Sequence, residues 1–235
     1  MAAVTAKVVL QQNQLFRNLP ESALDKLTAL STRKQFPKNR VIFSQGQTGD
    51  TFYGVISGCV RISVTTPEGQ ETHLKMFESG DSFGEIAILD GKPRTAEAVA
   101  IQVTEVVTIS RDRFWSLLES EPQLSIQLLK LLCEKLRWTS ELFEDATFLD
   151  LPHRLAKRLH DLADGHGKRT EKGLELKLSQ LELANYLGVT RQIVNQYLQE
   201  WRELGWVRLS RGKITIADMS EMEAYLADRG GALGD

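Results

Sequence analysis

The sequence predicts an α+β fold in three successive parts: a β-roll or barrel over residues 1–121, one long helix over 122–147, and a mostly helical part over 148–235 that closes with a β-hairpin. Three observations carry this. Short β-branched and aromatic runs broken by glycine fill the stretch from Phe36 to Ile109, a spacing that suits an all-β barrel or roll. After Pro122 no glycine or proline interrupts the chain as far as Ala146, so a single helix can run there. Beyond it, capping and turn residues punctuate several short helices before the final hairpin.

In chain order, Pro20 to Leu27 combines a helix-starting proline with apolar residues at helical spacing, which predicts a short helix on the barrel. The runs Val41–Phe43, Phe52–Ile56, Val60–Val64 and Val106–Ile109 are the clearest strands. In the long helix, Leu129, Leu132, Leu136, Thr139, Phe143 and Ala146 recur in steps of three and four, a heptad seam suited to a parallel coiled-coil homodimer. Leu124, Leu128, Leu131, Trp138 and Leu142 form a neighbouring stripe that can cover the β part. The seam spans under three heptads, so one amphipathic helix buried within a monomer is the alternative.

Asp150 offers an N-cap and Pro152 a first turn for a helix from Leu151 to about Ala163, closed by a loop over Asp164–Lys168. Ser179-Gln180-Leu181-Glu182 is a capping box, Gly188 a turn residue, and Thr190 a cap for a second helix from Arg191 to about Leu204. Ala184, Gly188 and Val194 fall where a helix-turn-helix needs a small residue, a turn glycine and an apolar anchor. Trp206–Leu209 and Lys213–Ile216 flank Ser210-Arg211-Gly212 as a hairpin with a basic tip, a plausible wing.

The formal net charge is −2, yet residues 151–213 hold 12 Lys and Arg against 7 Asp and Glu, while residues 1–150 hold 16 against 19. Basic charge is thus confined to the segment with the helical pair. No secretory leader and no run of eighteen apolar residues is present, which points to a cytoplasmic protein with no membrane partner. Cys59 and Cys133 form no C-x-x-C pair and read as reduced, mostly buried thiols. His73, His153, His160 and His166 have no ligand spacing and suit surface or capping roles. Neither a metal site nor a cofactor is expected. Walker A, H-E-x-x-H, G-x-S-x-G and dinucleotide fingerprints are lacking, so no catalytic residue is assigned and no enzyme is expected.

The informative stretch runs from Phe83 to Ala96. Gly84 after a strand opens a helical turn whose backbone N–H groups can hold an anion. Arg94 supplies a planar fork for phosphate and Thr95 a hydroxyl beside it. Glu85, acceptor-only when ionised, suits a ribose hydroxyl. An acceptor for sugar and a cation for phosphate within a dozen residues describe a nucleotide with a compact charged end. Phe83-Gly84-Glu85-Ile86-Ala87 and Pro93-Arg94-Thr95-Ala96 resemble the phosphate-binding cassette of cyclic-nucleotide-binding domains. Gly46–Tyr53 and Ile56–Val60 are similar to the glycine-punctuated strands of those domains. The resemblance implies that Glu85 bonds the ribose 2′-OH, Arg94 pairs with the cyclic phosphate, and Gly84, Ile86 and Thr95 line the sugar-phosphate, with Phe83, Ala87 and Ala96 completing the cassette. Haem-sensing relatives use Cys and His as iron ligands in this domain and oxygen-sensing relatives carry an N-terminal cysteine cluster; this sequence has an intact nucleotide cassette and no such cluster.

The order of β-roll, long helix and winged helix-turn-helix resembles the cAMP receptor protein family of bacterial transcription regulators over nearly the whole length. The resemblance implies an allosteric ligand rather than a cofactor, cAMP, with Thr139 and Ser140 meeting the adenine from the two subunits. Threonine at position 95 is similar to cGMP-responsive domains, so cGMP is expected to bind as well. It also implies a homodimer on palindromic promoter DNA, with RNA polymerase as a partner. Arg191 matches the family's guanine-reading arginine, while Gln192 stands where many members have Glu and Gln196 where some have Arg. Gln both donates and accepts, which suits adenine. Asn195 shares that helix, Ser179 and Thr190 stand at the helix starts, and Lys213 lies in the wing; these complete the expected DNA set. The alternatives are a cGMP-specific regulator and an effector whose winged helix binds protein.

Overall fold

The structure, a computed structural model, describes residues 10–11 and 13–228. The described chain forms two compact units, one built from residues up to 136 and one from 137 onward together with 71–73, so the division falls inside the long helix.

The first unit begins with helix α1 (Glu21–Leu30), for which Pro20 is the N-cap. Eight strands follow: β1 (Thr32–Phe36), β2 (Arg40–Phe43), β3 (Thr51–Ser57), β4 (Cys59–Thr65), β5 (Glu71–Glu78), β6 (Ser82–Phe83), β7 (Glu97–Ala100) and β8 (Thr104–Ser110), with helix α2 (Glu85–Asp90) after β6. They make two four-stranded sheets, β1-β8-β3-β6 and β2-β7-β4-β5. All four expected strand runs lie within these strands. Strands β1, β5 and β7 fall outside those runs: β1 is largely polar and exposed, β5 interleaves charged residues with its apolar ones, and β7 is half alanine.

Neighbouring residues on a strand face opposite ways, and the roll uses both faces. Phe43, Val60, Phe77 and Ala98 of one sheet meet Tyr53, Val55, Phe83 and Val106 of the other in one aromatic-rich core. On the far side of β3 and β8, Phe52, Val107 and Ile109 pack with α1 and with helices α3 (Arg111–Ser120) and α4 (Pro122–Phe148). Phe52 stacks on Phe114 at 4.8 Å between ring centroids. Leu124, Leu128 and Leu131 anchor the start of α4 in this second core.

At 27 residues, α4 is about 40 Å long. Leu129, Leu136 and Phe143, spaced by seven, stay 62%, 67% and 71% exposed. Cys133 on the same helix is exposed, against the expectation of buried thiols; Cys59 is buried, and that burial pushes its thiol up to about 12.

The second unit continues with α5 (Leu151–His166), β9 (Lys168–Thr170), β10 (Gly173–Leu176), α6 (Gln180–Leu187), α7 (Arg191–Glu203), β11 (Val207–Ser210), β12 (Lys213–Ile216) and α8 (Met219–Ala227). Its sheet runs β11-β12-β10-β9. The loop expected over Asp164–Lys168 is instead the end of α5 and the start of β9. Glycine at 165 points outward, with nothing near its Cβ position, so α5 tolerates it. The β9–β10 hairpin escaped the sequence because its edge strand is three exposed polar residues.

His153 corrects the surface role expected of the histidines. It is buried: Nδ1 lies 2.7 Å from the Asp150 carboxylate and Nε2 3.0 Å from the Asp228 carbonyl, with the ring stacked on Tyr225. His73 is buried as well.

Candidate nucleotide site and DNA-reading surface

Strand β6 delivers the chain to Gly84, whose φ of 85° is left-handed, and α2 starts at the next residue. A side chain at Gly84 would be strained, and a Cβ there would also sit 2.8 Å from Arg94 Nη1 and 3.1 Å from the Tyr53 ring. Glycine therefore serves both the turn and the close passage of arginine.

Arg94 is charged yet only 5% exposed. Nη1 donates to the Gly84 carbonyl at 2.7 Å and Nη2 to the Thr51 carbonyl at 2.6 Å. The guanidinium lies 4.2 Å from the Phe43 ring centroid and 5.7 Å from that of Tyr53, within cation–π range. Burial draws its pKa below the usual arginine value, opposed by Tyr53, Asp50 and Glu85. Burial likewise raises the Tyr53 phenol, against the nearby Arg94 charge.

Glu85 is 1% exposed and has a partner the sequence did not suggest. Its Oε1 accepts from Lys135 Nζ of α4 at 2.7 Å, while Lys135 also lies 5.2 Å from the Phe77 ring. Two cassette atoms are buried without a hydrogen-bond partner, Glu85 Oε2 and Arg94 Nε. A buried polar atom left unpaired costs about 1–3 kcal/mol. Here one orphan is an acceptor and the other a donor, on the two residues expected to hold ribose and phosphate. A nucleotide brings the hydroxyl and the phosphate oxygen that would satisfy them.

The other cassette residues divide by exposure. Ile86 is 42% exposed and Thr95 is exposed, so both can meet a ligand. The side chains of Phe83, Ala87 and Ala96 are buried; Phe83 stacks on Tyr53 at 5.0 Å. Thr139 and Ser140 are both exposed on α4.

In the second unit the predicted caps form. Asp150 accepts from the His153 backbone N–H, with Pro152 in the first turn of α5. The Ser179–Glu182 box has both of its hydrogen bonds, Gly188 ends α6 at φ 64°, and Thr190 accepts from the Ile193 N–H. Val194, Leu198 and Trp201 bury one side of α7. The opposite side exposes Arg191, Gln192 and Gln196, while Asn195 is half-buried and its Oδ1 accepts from Gln199 at 3.2 Å.

The wing is β11–β12, with Ser210 paired to Lys213 across a turn of Arg211 and Gly212. Lys213, in the wing, is tied to Glu175 at 2.8 Å, which holds the Glu175 carboxyl below its usual range. Arg208 and Arg211 are the exposed basic side chains of this hairpin. Between α6, α7 and the wing lies a cleft of about 510 Å³ that includes Leu181, Arg191, Gln199, Arg211 and Lys213.

Among the described residues no helix is long and apolar enough to cross a membrane, and no group of three metal-ligating side chains converges.

Comparison with known proteins agrees with both halves. Residues 33–121 match the cyclic nucleotide-binding domain and residues 153–225 the Crp-like helix-turn-helix domain. A CRP-like cAMP-activated global transcriptional regulator of Mycobacterium tuberculosis is 34% identical over 91% of this chain and 96% of its own. A cyclic AMP receptor protein of Thermus thermophilus is 31% identical over 89% and 94%. Among solved structures, the c-di-GMP responsive global regulator CLP of Xanthomonas campestris shares the fold at a TM-score of 0.78 and 24% identity, over 85% of this chain and all of that one. With a cyclic-nucleotide-binding roll, a capped helix-turn-helix and full-length relatives of that kind, the chain belongs to the CRP family of non-enzymatic, DNA-binding transcription regulators.

Proposed function

We propose that the protein is a cytoplasmic, homodimeric regulator activated by cAMP, with cGMP bound at comparable affinity. The observation that carries the ligand reading is the matched pair of buried orphans, Arg94 Nε and Glu85 Oε2. Arg94 takes the cyclic phosphate and Glu85 the ribose 2′-OH, with Gly84, Ile86 and Thr95 beside them. The relatives named for cAMP favour adenine. Thr139 and Ser140 are assigned to the base on the family resemblance, and their hydroxyls can accept from an adenine amino group or donate to a guanine carbonyl.

The exposed heptad positions Leu129, Leu136 and Phe143 support a two-fold dimer through α4, since such a stripe is costly to leave in water. Two recognition helices α7 then meet a palindromic promoter site. Arg191, Gln192, Asn195 and Gln196 read bases. Ser179, Thr190 and Lys213 belong to the backbone-contacting set, where the capping and ion-pair roles of their side chains limit what they add. RNA polymerase is the further partner the family resemblance implies. The nucleotide acts by shifting the population toward the DNA-competent arrangement, which requires that it bind that arrangement more tightly.

Calorimetric titration with cAMP, cGMP and a cyclic dinucleotide, paired with a duplex shift assay, tests this. We expect cAMP to bind and raise duplex affinity, with the cGMP dissociation constant within about a hundredfold, a gap of roughly 2.7 kcal/mol. Binding of cGMP alone would make the protein a cGMP-specific regulator. Nucleotide binding without any salt-dependent affinity for duplexes would make it an effector whose winged helix binds protein.

A further inference from the structure

The geometry points to Gly49 as the residue that seats the phosphate-binding arginine and keeps its remaining buried donor open to the ligand. This rests on the reading of Arg94 just given. Gly49 lies in the loop between β2 and β3, outside the cassette. Its backbone does not require glycine, for it is absent from the left-handed glycines, which include its neighbour Gly46. What requires glycine is space. A Cβ at position 49 would stand 2.5 Å from Arg94 Nε, 2.7 Å from Arg94 Cζ and 2.7 Å from the Ala87 Cβ.

None of these neighbours can give way cheaply. Both Nη atoms of Arg94 are held by backbone carbonyls, from Gly84 and Thr51. The Phe43 ring lies 4.2 Å from the guanidinium. Ala87 is fixed in α2 and buried. The atom a methyl group would press on hardest, Nε, is the buried donor without a partner. A side chain at 49 would thus crowd the one guanidinium nitrogen that makes no hydrogen bond, which an anionic oxygen could satisfy. Gly49 is therefore a positioning residue of the anion site, acting through Arg94, although the whole cassette from Phe83 to Ala96 lies more than thirty residues downstream of it.

The test is a double-mutant cycle on the full-length protein, with cAMP affinity by calorimetry and a thermal melt for each variant. Gly49→Ala should weaken cAMP binding by about thirtyfold or more, because it displaces a charge-assisted contact. In an Arg94→Lys background the same change should cost about threefold or less, since lysine lacks the two Nη bonds and can swing aside. Equal losses in both backgrounds, or an affinity for Gly49→Ala within about threefold of the parent, would overturn the inference. Should Gly49→Ala fail to fold, the double variant decides: a folded protein that binds like Arg94→Lys supports the seat. A double variant that is also unfolded shows that the loop itself needs glycine and refutes it. If Arg94→Lys alone leaves affinity unchanged, the assignment of Arg94 to the phosphate is what fails.

Discussion

The nucleotide cassette and the helix-turn-helix satisfy their polar groups in opposite ways. In the helix-turn-helix each cap is a neighbour in sequence: Ser179 with Glu182, Thr190 with Ile193. In the cassette the partners are distant, with Arg94 bonded to Thr51, 43 residues away, and Glu85 to Lys135, 50 away. The helix-turn-helix is complete by itself and presents exposed side chains. The cassette buries its charges and leaves one donor and one acceptor unpaired. The first arrangement suits a surface held ready for a large partner, the second a pocket whose polar groups are completed by a small one.

The sharpest way to break this contrast is at Arg94. Arg94→Leu should abolish detectable cAMP binding in titration. Because Arg94 is buried and serves two carbonyls, it should also lower stability, by about 1–3 kcal/mol for the groups left unpaired. An accessible arginine would have given the first effect without the second. A thermal melt alongside the titration separates the two.

At Arg191 the balance should reverse. Its side chain is exposed, so Arg191→Ala should leave the melting temperature and nucleotide affinity unchanged. Duplex binding measured over single-base variants should lose about 1–3 kcal/mol of discrimination at one guanine per half-site. A uniform loss across all sequences would mean that Arg191 contacts phosphate instead.

The caps should give smaller effects, read first in stability. Ser179→Ala removes one arm of the capping box and should cost about 0.5–2 kcal/mol by denaturant melt, with cAMP affinity intact. Asp150 adds a pH dependence. Desolvation raises its carboxyl, but the backbone and ring of His153 outweigh this and hold it below the usual value. A depressed carboxyl stabilises the fold above its unfolded value of about 3.9 and loses that contribution as pH falls through the folded value. Asp150→Asn and the parent should therefore differ in melting temperature near neutral pH and converge in acid. A difference that persisted at low pH would remove the carboxylate from the account.

The same contrast explains what the sequence could disclose. Local rules of the i to i+3 kind located both helices of the reader, its turn glycine and its wing, because cap and helix are written side by side. Spacing also brought Glu85 and Arg94 into one motif. It could not disclose that Lys135 would answer Glu85, since α4 was legible only through its apolar period and a lysine between its stripes looks like any solvated one. Nor could it reveal that Lys213 is tied to Glu175, because the β9–β10 hairpin that carries Glu175 was itself hidden by a short polar edge strand. Burial was the other blind spot: Arg94 and His153 are charged or polar types whose composition predicts exposure, and only the tertiary packing withdraws them from water.

The central claim is that filling the cassette changes the reader. It is tested most directly by fluorescence anisotropy of a palindromic duplex, selected from a random-core library, titrated with the protein at fixed salt with and without saturating cAMP. Saturating cAMP should tighten duplex binding by about tenfold or more, a differential of roughly 1.4 kcal/mol, and Arg94→Leu should remove the difference. The same duplex affinity with and without the nucleotide, in a protein shown by calorimetry to have bound it, would contradict the account.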